Sequence, residues 1–216
     1  MNDPHGTTPV LQHGPDASEA DAVLIMIHGR GAPAETMGSL VQALLDGQQG
    51  KVCTWLPSAS GHVWYPQRFV MPRDANQPYL DSAIGKVDAL IDRALEAGVP
   101  AHRILVGGFS QGACLALDVT ARRGLAIGGV LAYAGGLIGE TLNGSLYAER
   151  LDGLKVFLGS SNPDPHIPTG RVEDSAALLR AKGADVDVRL YPDLGHTLNE
   201  DELQAGRSMI EEVLKS

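Results

Sequence analysis

The chain has 216 residues, of which 44% are hydrophobic, 20% charged and 5% aromatic. This length and composition are typical of one soluble globular domain and exclude a disordered or fibrous protein. The net charge of −9 disfavours binding to nucleic acid or to an anionic membrane surface, because both attract basic patches. We therefore expect a small-molecule partner, no nucleic acid and no stable membrane association.

The amino-terminal stretch MNDPHGTTPV lacks the cationic and apolar regions of a signal sequence, which predicts a cytoplasmic protein. Residues 1–20 are expected to form a tail or a short edge hairpin. The longest aliphatic run, VLIMI at residues 23–27, is too short to span a bilayer. Cys53 and Cys114, the two cysteines, are too few for a disulfide framework and are expected to be reduced and buried.

From residue 23 onward, short apolar runs bounded by turn residues alternate with segments of helical periodicity. The apolar runs predict strands at 23–27, 52–56, 104–109, 129–133, 155–159 and 186–191. The periodic segments predict helices at 35–46, 79–97, 111–123, 171–182 and 200–214, the last with a capping box formed by Asn199 and Glu202. The alternation predicts an α/β fold in a single domain, 1–216, with a mostly parallel central sheet and helices on both faces.

The stretch ILVGGFSQGACLAL, residues 104–117, places Ser110 between a predicted strand and a predicted helix. Its G-x-S-x-G pattern is weak evidence alone, because it arises by chance in a chain with 26 glycines. In a nucleophile elbow, a strand turns sharply into a helix and small flanking residues allow the backbones to approach closely. Ligands of parallel sheets bind beyond the carboxyl ends of the strands, which is where Ser110 is predicted to lie.

A nucleophilic serine needs a general base and an acid that orients the base. His196 lies on the predicted loop between the last strand and the last helix, and Asp164 follows the preceding strand. The chain order serine, aspartate, histidine is the one that a fold of this type requires. Three other acids compete for the orienting role. Asp193 is expected to form a turn, whereas Asp185 and Asp187 lie toward the wrong end of their strand.

The stretch MIHGRGA, residues 26–32, follows the first long strand and contains two glycines that allow the chain to fold back. The backbone N–H groups of Arg30 and Gln111 are the expected donors to an oxyanion, and Gln111 also opens a helix whose dipole favours negative charge. His28 has no partner at a metal-binding spacing, so we expect it to form hydrogen bonds within the loop. No metal is implied.

Together these residues resemble the phospholipase/carboxylesterase family of the α/β-hydrolases, which includes acyl-protein thioesterases and small bacterial serine esterases. The resemblance covers residues ~20–214 and rests on four motifs: HGRGA at 28–32, GFSQGA at 108–113, DPHIP at 164–168 and GH at 195–196. It implies an α/β-hydrolase fold, no cofactor and hydrolysis of acyl esters or thioesters. The site residues that it implies are the triad Ser110, Asp164 and His196 and the backbone donors at Arg30 and Gln111.

The chain departs from the thioesterase members at Arg30, where those proteins typically carry a smaller or apolar residue. Its guanidinium would either attract a polar or carboxylate group of the substrate or pair with a surface acid. The proline-punctuated segment 61–80 is expected to lie over the site. Six side chains on this and neighbouring loops are expected to contact the substrate: Trp64, Tyr65, Phe69, Leu137, His166 and Ile167. The alternatives are anchoring of the loop for the aromatic residues, packing for Leu137 and loop stabilisation for His166.

The expected function is a serine carboxylesterase for small or short-chain esters, because no long insertion is available for an elaborate lid. An acyl-protein thioesterase or lysophospholipase is the alternative within enzymes. A non-catalytic binding module is disfavoured by the presence of all three triad residues, and a dienelactone-type hydrolase by serine in place of cysteine at Ser110. Exposed apolar residues at the rim of the site would support a weak homodimer.

Overall fold

Seven strands form one sheet in the order β1-β3-β2-β4-β5-β6-β7 in the computed structural model, which describes residues 3–216. The strands are β1 Val10–His13, β2 Ala22–Ile27, β3 Val52–Pro57, β4 Ile104–Phe109, β5 Gly129–Tyr133, β6 Lys155–Asn162 and β7 Asp185–Pro192. The helices are α1 Met37–Leu45, α2 Tyr79–Glu96, α3 Gln111–Arg123, α4 Thr169–Ala181 and α5 Glu200–Lys215. The predicted α/β fold with a mostly parallel sheet is confirmed.

Strands β2 to β7 pair in parallel, and only β1, at one edge of the sheet, is antiparallel to its neighbour β3. The amino-terminal segment therefore contributes an edge strand instead of the expected tail or hairpin. All six predicted strands are present, but β6 continues to Asn162, three residues beyond the predicted end at residue 159. The first turn predicted for the helix 35–46 is a 3₁₀ turn at Ala34–Thr36, after which α1 begins.

Two apolar layers cover the sheet, because strands such as β2 are buried along their whole length and need helices on both faces. Helices α2, α3 and α4 pack on one face through residues such as Val87 and Val172, and α1 and α5 pack on the other through Val41 and Ile210. Within residues 3–216, no helix is both long enough and apolar enough to cross a membrane.

The amino-terminal segment is fixed to the loop that follows β3 by the buried side chain of His5. His5 Nε2 lies 2.9 Å from the Trp64 carbonyl oxygen, and the backbone N–H of Ser60 donates to His5 Nδ1 at 3.0 Å. Lys86 Nζ on α2 donates to the His5 carbonyl oxygen at 3.0 Å. The segment before β1 therefore supports a loop that is distant from it in sequence.

The predicted capping box at the start of α5 is confirmed, and it contains a buried carboxyl group. The Asn199 side chain accepts from the Glu202 N–H at 2.9 Å, and Glu202 Oε2 accepts from the Asn199 N–H at 3.0 Å. Glu202 is fully buried, and its Oε1 atom has no hydrogen-bond partner among the residues described. Burial raises the pKa of the Glu202 carboxyl to about 7, because the charged form loses its hydration.

We expect the change in the free energy of unfolding caused by Glu202→Gln to be more favourable at pH 8 than at pH 5. The ordinary pKa of this carboxyl is 4.5, so between that value and about 7 the folded state binds more protons than the unfolded state. The Glu202 contribution to the free energy of unfolding therefore falls as the pH rises through this window, whereas glutamine keeps the cap and does not ionise. Urea unfolding should show that the difference between variant and wild type grows by about 1 to 3 kcal/mol from pH 5 to pH 8. A difference independent of pH would contradict this expectation.

Candidate active site

Ser110 occupies the sharp turn between β4 and α3, with φ 55° and ψ −117°, a conformation that costs free energy for a residue with a side chain. Two glycines make the turn sterically feasible. A Cβ atom on Gly108 would lie 2.5 Å from the Gly112 carbonyl carbon, and one on Gly112 would lie 2.1 Å from the Ile27 carbonyl oxygen. The Ser110 N–H donates to the Tyr133 carbonyl oxygen at 2.9 Å. This geometry is that of a nucleophile elbow.

The side chains of Ser110, His196 and Asp164 form one chain of hydrogen bonds. His196 Nε2 lies 2.9 Å from Ser110 Oγ, and His196 Nδ1 lies 2.8 Å from Asp164 Oδ2. The Asp164 side chain is 0% exposed and that of His196 is 19% exposed. With the proton on Nδ1 directed at Asp164, Nε2 is free to accept the proton of the serine hydroxyl.

Both oxygens of the buried Asp164 carboxylate accept hydrogen bonds, one from His196 and the other from within its own loop. Its second oxygen, Oδ1, accepts from the backbone N–H groups of His166 and Ile167 at 2.7 and 3.0 Å. Burial by itself raises the pKa of the Asp164 carboxyl, but the hydrogen bonds from His196 and from these two N–H groups outweigh burial and hold the pKa below its ordinary value. Asp164 is therefore ionised at neutral pH, as the orientation of an imidazole requires.

The competing acids lie away from this chain of hydrogen bonds. Asp193 has a positive φ of 50° in the turn after β7, Asp187 forms a 2.7 Å ion pair with Arg189, and Asp185 begins β7 at the amino end of the strand. Sequence reasoning missed Ser161, however, which lies in the part of β6 beyond the predicted end. Its hydroxyl donates to the Pro163 carbonyl oxygen at 2.8 Å and accepts from the Gly195 N–H at 2.9 Å, so it joins the loops that carry Asp164 and His196.

The loop after β2 passes directly beside Ser110, since a Cβ atom on Gly29 would lie 3.5 Å from Ser110 Cβ. Within residues 3–216, the backbone N–H groups of Arg30 and Gln111 donate to no protein atom. Their role as oxyanion donors stays a prediction.

His28 is fully buried. Its Nδ1 lies 2.8 Å from the Gly29 carbonyl oxygen, which is the kind of hydrogen bond expected within the loop. Its Nε2 accepts from the Ala59 N–H at 3.1 Å and so joins this loop to the loop after β3.

A cavity of about 560 Å³ opens beside Ser110, within the size range of small-molecule sites. Its lining is mostly apolar and comes from the loops after β2, β3, β6 and β7 and from α1 and α3. The lining residues that sequence analysis placed near the substrate are Tyr65, Phe69, His166 and Ile167. Those that it missed include Met37, Leu40, Arg68, Phe109, Cys114 and Leu198. In the described part of the chain, no cluster of three or more His, Cys, Asp or Glu side chains is arranged to hold a metal ion.

Trp64 and Leu137, two of the expected substrate contacts, do not line the cavity. Trp64 is fully buried, its ring packs 5.0 Å from that of His28, and its Nε1–H donates to the His28 carbonyl oxygen at 3.0 Å. Leu137 is also fully buried, and its N–H donates to Ser175 Oγ at 2.9 Å. Both residues anchor their loops to the core, which is the alternative that the sequence left open.

The sequence model described as phospholipase/carboxylesterase matches residues 14–214 of the chain. The chain belongs to the phospholipase/carboxylesterase family. A crystal structure of a phospholipase/carboxylesterase from Dyadobacter fermentans superimposes with a TM-score of 0.89 at 36% sequence identity, over 95% of this chain and 97% of the other. A Bacillus cereus carboxylesterase shares the fold, with a TM-score of 0.75 at 18% identity.

Curated relatives of this phospholipase/carboxylesterase chain carry several names. Lysophospholipase-like protein 1 of Mus musculus is 25% identical over 208 residues, covering 88% of this chain and 85% of the relative. Acyl-protein thioesterase 1 of Debaryomyces hansenii is 32% identical over 119 residues, covering 54% of this chain and 51% of the relative. The match thus spans about half the length of that thioesterase. The two names differ in the substrate to which they refer, an acyl-protein thioester in one and a lysophospholipid in the other.

The Arg30 side chain of this family member neither pairs with an acid nor extends freely toward a substrate. Its Nη1 donates to the Pro66 carbonyl oxygen at 2.9 Å, and its Nη2 donates to those of Tyr65 and Gln67 at 2.9 and 2.6 Å. The Gln111 side chain binds the same segment. It accepts from the Trp64 N–H at 2.8 Å and donates to the Tyr65 carbonyl oxygen at 2.8 Å, and we call this set of hydrogen bonds from Arg30 and Gln111 the clamp. Both expected oxyanion donors therefore belong to residues whose side chains hold segment 64–67 in place.

We expect Arg30→Met to loosen segment 64–67, because three charge-assisted hydrogen bonds are lost while the backbone N–H is kept. Hydrogen exchange in this segment should accelerate, and kcat/KM for an ester should fall by about tenfold. Arg30→Lys is the matched control, since lysine keeps the charge but lacks the planar fork that reaches several carbonyls. If Arg30→Lys behaved like wild type in both measurements, charge alone would matter and the clamp would be unnecessary.

Proposed function

We propose that the chain is a serine carboxylesterase that hydrolyses small or short-chain carboxylic esters through an acyl-Ser110 intermediate. The observation that carries the proposal is the pair of contacts at His196, 2.9 Å to Ser110 Oγ and 2.8 Å to Asp164 Oδ2, at the mouth of a mostly apolar cavity. Family membership supports hydrolysis of an acyl bond. The roles of the individual residues and the choice of substrate are part of the proposal.

In the first half of the reaction, Ser110 Oγ attacks the ester carbonyl carbon while His196 Nε2 takes the hydroxyl proton. Asp164 holds the imidazole in the productive tautomer and stabilises the imidazolium. The N–H groups of Arg30 and Gln111 donate to the oxyanion. The carbon–oxygen bond to the alcohol breaks, His196 returns its proton to the leaving alcohol, and water then repeats the sequence to release the acid and restore Ser110.

Two features favour small esters. A cavity of about 560 Å³ has to hold the acyl and the alcohol parts together. In addition, segment 64–67 is held by hydrogen bonds from both Arg30 and Gln111, so a wide opening by displacement of this loop would cost several of them.

An acyl-protein thioesterase or lysophospholipase is the second candidate, and a specific part of the cavity favours it. Met37 and Leu40 on α1, together with Leu198 before α5, form an apolar wall that sequence analysis did not anticipate. Such a wall would suit an extended acyl chain, and several relatives are named as acyl-protein thioesterases.

Ser110→Ala and His196→Ala are expected to lower kcat for an ester by on the order of 10³ or more, because each removes a group that acts in the transition state. A fluorophosphonate should label the wild type and not Ser110→Ala. Ser39→Ala is the matched control, since Ser39 is an exposed serine on α1. Undiminished hydrolysis by purified Ser110→Ala, with circular dichroism showing an intact fold, would refute the assignment.

Hydrolysis of 4-nitrophenyl esters from acetate to palmitate, with a palmitoyl thioester alongside, separates the two candidates. The carboxylesterase proposal predicts that kcat/KM falls as the acyl chain lengthens. A preference for palmitate and for the thioester would instead establish the second candidate. Leu40→Trp should then shorten the acyl chain that is accepted, because the larger side chain would occupy part of the cavity beside α1.

A further inference from the structure

The charged side chains at the cavity are all basic, although the chain as a whole is acidic. The chain contains 26 acidic and 17 basic residues without counting histidine. The ionisable side chains with a positive form that line the cavity are Arg30, Arg68, His166 and His196, and no aspartate or glutamate belongs to the lining. Two guanidinium groups and no carboxylate therefore line a cavity in a protein of net charge −9, and a cleft lined by charges of one sign attracts ions of the opposite sign.

Arg68 is the guanidinium of the lining with more free hydrogen-bonding capacity than Arg30. Its Nη2 donates to the His166 carbonyl oxygen at 3.2 Å, a weak contact that does not neutralise the charge. Among the residues described, Arg68 forms no ion pair with a carboxylate. Most of the five N–H donors of the guanidinium fork therefore remain available, and their planar geometry matches a carboxylate.

The backbone that carries Arg68 is held in place by a buried side chain. Asn76 is fully buried, its Oδ1 accepts from the Gln67 N–H at 2.7 Å, and its Nδ2 donates to the Arg68 carbonyl oxygen at 3.4 Å. The preceding residues are held by the clamp from Arg30 and Gln111. Arg68 is thus an exposed cation on a fixed segment at the edge of the cavity, and little backbone ordering is needed when it binds an anion.

The carboxylate on the loop that Arg68 contacts has other hydrogen-bond partners and forms no ion pair with it. Asp164 is the acid of the neighbouring loop, but its two oxygens already accept from His196 and from two backbone N–H groups, and its side chain is 0% exposed. The His166 ring packs edge-on against that of His196, with 4.8 Å between their centroids. An anionic group bound at Arg68 would therefore lie close to the reacting centre without meeting a competing carboxylate.

We propose that Arg68 is a specificity-determining residue that binds a carboxylate of the substrate, so that the preferred substrates are esters carrying a free carboxylate in their acyl or alcohol part. This inference rests on the proposed esterase function and adds the class of ester to it. Arg30 is the second guanidinium of the lining, but three of its five N–H donors are occupied by the carbonyl oxygens of residues 65–67.

Two matched substrate pairs test the proposal. The 4-nitrophenyl monoester of adipic acid is compared with the 6-methylheptanoate ester, in which an isopropyl group replaces the carboxylate. 4-Acetyloxybenzoate is compared with 4-acetyloxybenzamide, so that the charge lies on the alcohol part. We expect wild type to prefer the carboxylate in at least one pair by about tenfold in kcat/KM, and the preference to fall when the salt concentration rises from 20 to 500 mM.

Arg68→Gln should lower kcat/KM for the preferred carboxylate ester by about tenfold and leave the neutral partner within about twofold, whereas Arg68→Lys should retain part of the preference. Lys51→Gln is the matched control for net charge. Lys51 is exposed and precedes β3, so it lies at the amino ends of the parallel strands, whereas the cavity lies at their carboxyl ends. If Arg68 had a purely structural role, Arg68→Gln would lower kcat/KM equally for both esters of a pair, and this result would overturn the proposal. If wild type hydrolysed the neutral esters and showed no preference for the carboxylate in either pair, the role of Arg68 would also be refuted, but the proposed esterase function would stand. If wild type hydrolysed none of these esters, the proposed function would fail as well.

Discussion

The close approach of β2 to the start of α3 is the constraint on which the site depends. A single methyl group on Gly112 would lie 2.1 Å from the Ile27 carbonyl oxygen, so the helix can sit at this distance only if that position has no side chain. The chain must therefore reverse direction within one residue, and Ser110 takes the strained positive φ that this reversal requires. The same contact brings the loop after β2 alongside the serine, so one piece of backbone packing sets the positions of both.

The remaining polar groups are arranged by the parallel sheet and then fixed by local hydrogen bonds. Parallel strands deliver their following loops to one edge, which places Asp164 and His196 near Ser110 but does not define distances within an ångström. Ser161 supplies that precision between the two loops. The negative charge of Asp164 is tolerated in a buried position because hydrogen-bond donors meet both carboxylate oxygens.

The fold and the proximity of Ser110, Asp164 and His196 could be predicted from the sequence because local patterns encode them. Strand and helix periodicities are set by neighbours within a few residues, and the elbow is encoded by two glycines around Ser110. The limits appear where one pattern fits two environments. An aromatic residue in a proline-rich loop has the same local signature whether it borders the cavity, as Tyr65 does, or packs in the core, as Trp64 does. Which one applies depends on contacts with residues far away in the chain.

The same reasoning explains the missed lining of the cavity. Met37 and Leu40 lie on an amphipathic helix whose apolar positions all look like core positions in the sequence, yet some of them border the cavity. The side chain of Arg30 was expected to meet a charge, but it meets three backbone carbonyl oxygens. Carbonyl acceptors are present at every residue and leave no trace in composition or spacing, so only the folded geometry shows this arrangement.

The burial of His5 has a consequence for how such a site can diversify. The segment before β1 touches the loop after β3 through the Ser60 N–H and the Trp64 carbonyl oxygen, and that loop continues into the wall of the cavity at Tyr65. The segment before β1 thus stabilises one wall of the cavity through a loop that it contacts from outside the cavity. A substitution in this segment can therefore change the shape of the cavity while every residue that lines the cavity stays the same.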